Sequence, residues 1–411
     1  MSMRDVVARY TVAHDDTPDL SPGAASGEPA RAVQRVLHLS LTFHEGGRWV
    51  AIRNLVRGLH RHGVDSHLAS LEVGGAPGPG GEGEVEGYVA LDRQRLFDVE
   101  ACRRLMRYCR AQDITLVHSH DGASQFTVAL ARYLGLRCAH VSTFHRSLGF
   151  ESATRRARLR NAFALTRTER VVTGSRERRD HYLATNYVSS RKVACVPLGI
   201  DVHAFAPDPK GRLEARQALG VAPQEVIVGV IGHLGPEKGV DQVVRAMLKI
   251  AGRPGVPWRL VIAGDGPKSR RRWLEALAAD LGRRVKFLGF QPDVSRWLQA
   301  FDLLAHAPRM EAFGLAVVEA MATALPVVAT RVGGLVDVVR HGTTGLIVPV
   351  DSTDDLCDAL VRLIDNPAVR STMGENARRV AVTEYELGLY AQRYLDIYER
   401  VLGPRAAGSA V

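Results

Sequence analysis

The stretch VIVGVIGHLGPEKGVDQVVRAMLKIAGRPGVPWRLVIAG, residues 226–264, contains the pattern that decides the fold. An apolar run at 226–232 precedes a segment of helical length at 240–251, and a second apolar run follows at 259–264. Continuous apolar runs, without alternation, are typical of parallel strands that are covered on both faces. The stretch therefore predicts a strand–helix–strand unit of a parallel α/β sheet.

The same alternation continues on both sides of this unit. Upstream, a first cycle begins with a strand at 36–43 and ends with one at 192–197, and downstream strands and helices alternate as far as 365. A segment rich in proline and glycine, 196–211, separates the two cycles and is predicted to be a hinge. The predicted fold class is α/β, with two doubly wound, Rossmann-like domains. The predicted division is a disordered lead-in at 1–31, an N-terminal domain at 32–205, a C-terminal domain at 206–382, and at 383–411 a helix that packs back on the N-terminal domain, followed by a tail.

Composition is that of an ordinary globular protein. The chain has 411 residues, 46% apolar and 24% charged, which is enough for two domains with substantial cores. No window approaches the roughly 18–20 apolar residues of a membrane span, and the N-terminus lacks the apolar core of a signal peptide. We therefore expect a cytoplasmic protein. The five dispersed cysteines argue against a disulfide framework or a cysteine zinc site.

Much of the net charge of +10 comes from residues 146–180, which contain ten arginines and four acidic residues. Such a face suits nucleic acid, anionic lipid or a polyanionic substrate, and a solvated helix surface explains it equally well. No aromatic residues alternate with the arginines to stack bases, so nucleic acid is not expected as a partner. The remaining hypothesis is peripheral contact with the anionic inner face of a membrane through Arg155–Arg179.

The stretch RMEAFGLAVVEAM, residues 309–321, places Glu311 and Glu319 on either side of a Phe-Gly turn that opens a helix. Such a turn directs backbone N–H groups and the positive end of the helix at one point, which favours phosphate. Carboxylates beside a phosphate are better suited to accept hydrogen bonds from hydroxyls. Nucleotides and sugar nucleotides combine both groups.

Three glycine-rich turns follow predicted strands. GHLGPEKGVD (232–241) holds Lys238 near the start of a helix, where it adds to the anion field, although a plain turn with a surface Glu-Lys pair is the alternative. AGDGP (263–267) and HEGGRW (44–49) also allow close backbone approach to a ligand, and simple tight turns are their alternative. None has the G-x-G-x-x-G fingerprint, so an NAD(P) oxidoreductase is not expected.

The ordered set of motifs resembles family 4 of the glycosyltransferases, which have the GT-B fold. In the second half it comprises GHLGPEKG, LVIAGDGP, VKFLGF, EAFGLAVVEAM and RVGGLVDVVRHGTTGLIVP, and in the first half HEGG, VHSHD, STFH, VVTGS and VPLGIDVHAF. The similarity covers about residues 35–400. It implies two domains facing a central cleft, the first on the acceptor side and the second binding a nucleotide-diphosphate sugar, with no obligatory cofactor or metal.

The resemblance also implies roles for individual residues. His120 would approach the donor sugar at the reaction centre, Glu311 would bind the sugar hydroxyls, and Lys238 would neutralise the departing diphosphate; these three are the predicted catalytic residues. Glu319 would take the ribose hydroxyls. The implied donor-binding set is Gly46, Gly47, His233, Lys238, Gly264, Phe290, Glu311, Phe313, Gly314, Leu315 and Glu319.

One position departs from the family pattern. His233 stands where the family usually has an arginine that binds the diphosphate, and neutral histidine is a poorer phosphate partner than arginine. Either Arg309 or Arg331 substitutes for it, or donor turnover is slow.

Histidines raise the question of zinc. His118 and His120 point to one side of a strand, with His140 and His145 nearby in sequence, but no acidic pair or cysteine completes a site. No metal site is predicted, and His118 is interpreted as structural.

The predicted function is a retaining glycosyltransferase that moves a sugar from a nucleotide-diphosphate sugar to a glycan or lipid-linked acceptor, in bacterial surface polysaccharide or lipopolysaccharide biosynthesis. A nucleotide-sugar epimerase or hydrolase on the same fold is the alternative. A two-lobed binding protein without catalysis fits less well, because it does not explain the acid pair.

Overall fold

A computed structural model describes residues 33–43, 46–73, 83–145, 155–186 and 188–403. The predicted disordered lead-in at 1–31 lies outside the described residues, and so does the first part of the arginine-rich segment, 146–154.

The N-terminal half forms a seven-stranded sheet in which every adjacent pair is parallel, in the order β3-β2-β1-β4-β5-β6-β7. Its strands are β1 (Arg35–Ser40), β2 (Asp65–Ser70), β3 (Gly87–Ala90), β4 (Leu116–Ser119), β5 (Ala139–Phe144), β6 (Arg170–Thr173) and β7 (Val193–Cys195). The helices that cover it are α1 (Gly47–Arg61), α2 (Val99–Ala111), α3 (Gly122–Tyr133), α4 (Arg155–Leu165) and α5 (Arg176–Asn186).

The C-terminal half forms a six-stranded parallel sheet in the order β10-β9-β8-β11-β12-β13. Its strands are β8 (Val226–Ile231), β9 (Trp258–Ala263), β10 (Val285–Gly289), β11 (Leu303–His306), β12 (Val327–Thr330) and β13 (Gly345–Val348). Its helices are α6 (Pro209–Leu219), α7 (Val240–Ala251), α8 (Lys268–Leu277), α9 (Ser295–Ala300), α10 (Leu315–Ala322), α11 (Leu335–Val338), α12 (Thr353–Asp365), α13 (Pro367–Glu384) and α14 (Leu387–Leu402).

The predicted fold class is confirmed: both halves are parallel α/β sheets covered by helices on both faces. The central strands are almost completely buried, which is why they appear in the sequence as uninterrupted apolar runs.

Two elements were missed by the sequence reasoning. Helix α6 begins inside the segment predicted to be a hinge, so the prediction of an irregular chain through residue 211 is wrong. The local signals of this helix are complete: Asp208 accepts from Lys210 N at 3.0 Å, proline occupies the first turn, and Gly220 ends the helix with φ of 65°. Strand β3 is a four-residue edge strand next to β2, and is too short to give a periodic signal.

The last helix, α14, returns to the N-terminal half and packs on α1. The two helices approach closely at Gly58, where a Cβ would lie 2.7 Å from the Ala391 Cβ. Ile200 N donates to Tyr385 O at 2.9 Å where the chain crosses back between the halves. The predicted return of the C-terminal helix is thus seen as a direct contact, while the numerical domain limits stay a prediction.

The carboxyl ends of the two sheets lie against each other. Ser175, after β6, donates to Ala312 O of the other half at 3.4 Å, and Arg176 N donates to Asp337 Oδ2 at 2.8 Å. In doubly wound sheets ligands bind outside the carboxyl ends of the strands, so the cleft between the halves is the candidate site. Across the described part of the chain, we find no helix with the length and apolarity needed to cross a bilayer.

Candidate active site in the interdomain cleft

The Glu311 cluster, formed by Glu311, Lys238 and His306, lies in the turn between β11 and α10. Glu311 Oε2 accepts from Lys238 Nζ at 2.9 Å and from His306 Nε2 at 3.2 Å, while Oε1 accepts from Ala312 N at 3.0 Å. Burial alone would raise the pKa of Glu311, but the hydrogen bond from His306 and the charge of Lys238 outweigh it and hold the pKa well below its usual range. Glu311 is therefore an ionised acceptor of hydrogen bonds, not a proton donor.

Close backbone packing keeps this turn in place. Gly333 has φ of 55°, and a Cβ on it would lie 1.7 Å from Glu311 O. Gly239 has φ of 62°, and a Cβ there would lie 1.8 Å from Ala307 O. Arg309 N donates to Glu237 O at 2.7 Å. The loop that carries Lys238 and the turn that carries Glu311 are thereby joined as one unit.

Glu319 is in the middle of α10, partly exposed towards the cleft. Removal from water raises the pKa of Glu319 to about 7, and the positive charge of Arg53 on α1, across the cleft, offsets only part of this effect. The pKa values of the two acids of the 309–321 stretch therefore shift in opposite directions: hydrogen-bond partners dominate at Glu311, and burial dominates at Glu319.

Two of the glycines predicted to bind donor, Gly264 and Gly314, have positive φ and lie close to other parts of the chain. Gly264 has φ of 156°, and a Cβ on it would lie 1.8 Å from Gly232 O, so the ends of β8 and β9 meet without side chains. Gly314 has φ of 100° and immediately precedes α10, which begins at Leu315. The roles of these two glycines in donor binding stay predictions.

The aromatic members of the predicted set lie in different surroundings. Phe290 is 60% exposed just after β10. The Phe313 ring is buried, 5.9 Å from the Tyr385 ring in an edge-to-face arrangement. Phe313 can therefore offer a ligand only its backbone, as predicted for the stretch Phe313–Leu315.

Arg309 is already engaged by acids. It forms two hydrogen bonds with Asp241, at 2.8 and 3.1 Å, and an ion pair with Asp351 at 2.8 Å. Its positive charge is thus balanced, which makes it a poor substitute for the arginine missing at His233. Arg331, the other candidate, is exposed immediately after β12, and His233 is exposed after β8.

On the other side of the cleft, a row of histidines is formed by His38 within β1, His120 just after β4 and His145 just after β5. Nδ1 of His38 lies 3.1 Å from Nε2 of His120, and Nδ1 of His120 lies 3.1 Å from Nε2 of His145. Burial is the main cause that lowers the pKa of His38 and of His145 to about 3 and the pKa of His120 well below its usual value. All three rings are therefore neutral at pH 7, and each contact shares one proton between two nitrogens.

The centre of the His118 ring lies 4.0 Å from that of the His120 ring, and the two ring planes are tilted by 40°. Its Nδ1 lies 2.7 Å from the Tyr398 hydroxyl of α14, and its Nε2 lies 2.7 Å from Thr143 Oγ1. His38, His118 and His120 are close enough to share a metal ion. However, both nitrogens of His118 already have hydrogen-bond partners, and the three residues include no anionic ligand. The described geometry is a hydrogen-bonded network, and the expectation that no metal is required stays a prediction.

Gly46 and Gly47 are exposed at the start of α1, beside the same cleft. The next residue, Arg48, is 34% exposed, lies 3.7 Å from Asp121 and contributes to the lowered pKa of His120. Arg48 is thus a cation of the N-terminal side that the sequence reasoning did not select.

Only some arginines of the arginine-rich segment lie on the protein surface. Arg156 and Arg158 of α4 are exposed, whereas Arg178 is 2% exposed and its guanidinium carbon lies 5.2 Å from the centre of the Phe144 ring. Arg178 therefore cannot meet a membrane or a polyanion, and the hypothesis that the whole of Arg155–Arg179 forms a basic face needs this correction.

Besides Arg48, four residues near the predicted site were not singled out from the sequence. His306 could have been noticed as a polar strand end five residues before Glu311. His38 interrupts an apolar strand and pairs with His118 in the parallel register. Tyr398 and Arg53 gave no local signal, because each reaches the site from a distant part of the chain.

Two doubly wound parallel sheets that face each other across such a cleft define the GT-B fold. Solved structures agree with this assignment. The chain is similar to HepE from Anabaena, crystallised with UDP, with a TM-score of 0.78, 21% identity, and coverage of 89% of this chain and 100% of HepE. It is also similar to sucrose-phosphate synthase from Thermosynechococcus elongatus, with a TM-score of 0.74, 23% identity, and coverage of 90% and 99%.

The chain belongs to family 4 of the glycosyltransferases. Residues 45–229 match the family described as Glycosyltransferase Family 4, and residues 211–380 match Glycosyl transferases group 1. The D-inositol 3-phosphate glycosyltransferase of Corynebacterium aurimucosum is 34% identical over 289 residues, which cover 66% of this chain and 68% of that protein. The enzyme of that name from Actinosynnema mirum is 35% identical over 220 residues, covering 51% and 52%. The chain spans about half the length of several such curated relatives. The family resemblance seen in the sequence is thus confirmed.

Proposed function

We propose that this protein transfers a glycosyl group from a nucleoside diphosphate sugar to an acceptor hydroxyl, with retention of anomeric configuration. The observation that carries the proposal is the Glu311 cluster, in which an ionised carboxylate and an ammonium group lie 2.9 Å apart at the cleft. A carboxylate without a proton suits sugar hydroxyls. An adjacent ammonium group with two further N–H donors suits the diphosphate.

The proposed reaction takes place on one face of the sugar. The bond between the anomeric carbon and the diphosphate oxygen breaks, the acceptor oxygen bonds to the same carbon from the same face, and the acceptor proton passes to the departing phosphate. Lys238 stabilises the charge that develops on that phosphate. Closure of the two halves brings His120 to the sugar and excludes water.

For the donor, we propose a UDP sugar as the first candidate. HepE, which shares the fold, has been crystallised with UDP and with UDP-glucose. In this chain, Glu319 would accept hydrogen bonds from the two ribose hydroxyls, which does not distinguish one base from another. A thermal-shift panel of nucleotide sugars tests the donor, because a ligand that binds only the folded state raises the melting temperature.

For the acceptor, we propose a molecule that carries negative charge. Arg48 at the cleft and the exposed arginines of α4 supply positive charge on the N-terminal side. A phosphorylated polyol, in line with the names of the relatives, and a lipid-linked intermediate of surface polysaccharide or lipopolysaccharide are the two classes to compare. Peripheral contact of α4 with an anionic inner membrane belongs to the second class, and vesicle sedimentation of Arg156→Ala/Arg158→Ala against wild type tests it.

The central test is donor turnover by Glu311→Ala and Glu319→Ala. Each should fall at least about 100-fold, because a buried hydroxyl clamp is lost in the transition state. Glu275→Ala, an exposed acid of α8, is the matched control and should retain full activity. Full activity of either cleft variant would refute the assignment. Turnover of the donor without any acceptor would instead favour an epimerase or hydrolase.

A further inference from the structure

A cavity lies at the amino ends of β4 and β5, at the opposite end of the N-terminal sheet from the cleft. It has a volume of about 850 Å³, which is in the range of small-molecule sites. Thr115, just before β4, and Ala139, the first residue of β5, line it. His120 follows the other end of β4, so the cavity and the candidate active site are separated by the length of the strand.

The floor of this cavity is apolar and its rim is basic. Ile114 and Leu136 line it together with Leu402, from the last turn of α14, and Met106 completes the apolar part. The rim carries three arginines of the N-terminal half: Arg110, Arg132 and Arg137.

The charges of the rim do not cancel. Arg132 is paired at 2.6 Å with Glu169, which is the one acid among the described residues that line the cavity. Arg110 and Arg137 are exposed, and no ion pair or side-chain hydrogen bond joins either guanidinium to another described residue. Two positive charges therefore remain beside the apolar residues that line the cavity.

We propose that this cavity binds an organic phosphate monoester, whose apolar part lies on the floor and whose phosphate pairs with Arg110 and Arg137. A phosphate monoester carries close to two negative charges at pH 7, which matches the two uncompensated arginines. Guanidinium groups also bind phosphate through paired N–H donors. A purely apolar ligand would leave the rim charges unused, and inorganic phosphate would leave the floor empty.

Decyl phosphate, below its micellar concentration, is the direct probe. Isothermal titration should show saturable binding at one site, and inorganic phosphate should bind at least about tenfold more weakly because it buries no apolar surface. Absence of saturable binding by decyl phosphate would overturn the proposal.

Two variants separate the cavity from general charge. Arg110→Ala/Arg137→Ala should weaken binding about tenfold or more, and Thr115→Trp should weaken it by filling the chamber while keeping both arginines. Arg272→Ala/Arg283→Ala removes the same charge from exposed positions of the other domain and should bind like wild type. Equal affinity in wild type and in either cavity variant would contradict the proposal.

The source of the phosphate can be distinguished with the same variants. Sedimentation with phosphatidylcholine vesicles containing phosphatidic acid, lost in both cavity variants, would identify a membrane headgroup. Binding of soluble decyl phosphate without vesicle binding would identify a free metabolite. If removal of residues 404–411 were required for any binding, the chain's own tail would be the occupant and the proposal would be wrong.

Discussion

Binding of the donor should weaken as the pH falls from 8 to 6, because Glu319 must be ionised to accept hydrogen bonds from both ribose hydroxyls. Burial raises the pKa of Glu319 to about 7. About nine-tenths of the carboxyl groups are ionised at pH 8 and about one-tenth at pH 6. The apparent dissociation constant is the intrinsic one divided by the competent fraction. We therefore expect an approximately tenfold weaker affinity at pH 6.

Calorimetric titration with UDP-glucose measures this directly, since the diphosphate diester of a nucleotide sugar has no group that titrates between pH 6 and 8. Each binding event at pH 6 should release about 0.9 proton, which appears as a dependence of the heat on the ionisation enthalpy of the buffer. Glu319→Gln cannot titrate, and its weaker affinity should not change with pH.

Two results would refute this reasoning: a flat profile in the wild type, or an equal slope in Glu319→Gln.

The pH dependence of folding stability provides a second test, and the direction of its change can be predicted. A carboxyl whose folded pKa is raised from 4.5 to about 7 costs the folded state stability as the pH rises through that interval. A pKa shift of this size corresponds to a loss of about 3.4 kcal/mol in the free energy of unfolding. Because the side chain has access to water in the cleft, we expect a loss of roughly 1–2 kcal/mol. Glu319→Gln should thus be more stable than wild type at pH 8, with little difference at pH 4.

Two further predictions concern the packing that supports the site. Gly333→Ala should lower stability by at least about 2 kcal/mol in urea unfolding and impair donor binding, because its Cβ would lie 1.7 Å from Glu311 O. Gly342 also has a positive φ, of 77°, but a Cβ on it would have no neighbour within 4 Å. Gly342→Ala therefore measures the backbone strain alone and should lower stability by roughly 1 kcal/mol. Equal effects of the two substitutions would refute the packing argument. Tyr398→Phe should cost about 1–3 kcal/mol, since it leaves a buried histidine nitrogen without its partner. Tyr133→Phe deletes an exposed hydroxyl and should change stability by less than about 0.5 kcal/mol; a Tyr398→Phe variant of equal stability would contradict the proposed support of the histidine row.

The fold was accessible from the sequence because most of its strands are buried on both faces. Such strands appear as short apolar runs at regular distances, and the helices between them are long enough to separate one run from the next. The helix at 209–219 was missed for a different reason. Its proline, Pro209, was counted as a loop signal, although proline in the first turn is typical of a helix start.

The candidate site could be predicted from the sequence only where its residues are close together in the chain. Glu311 and Glu319 are close in sequence, so their turn and helix could be predicted together. The contact of His38 with His120 depends on the pairing of strands 82 residues apart, and that of His118 with Tyr398 spans 280 residues. The opposite electrostatics of the two glutamates are equally non-local, because they follow from burial and from partners that the spacing does not reveal.

The missing arginine at His233 changes where positive charge can come from in the proposed reaction. Arg309 cannot supply it, because Asp241 and Asp351 already balance its charge. Its function in the fold is visible instead: Asp241 lies in the first turn of the helix that follows Lys238, so the ion pair ties the lysine loop to the acid turn. Lys238, paired with Glu311, is then a cation of the C-terminal side, and Arg48 is a cation at the cleft that belongs to the other half. Stabilisation of the departing diphosphate would accordingly depend on closure of the two halves, more than in a chain that carries both cations on one domain.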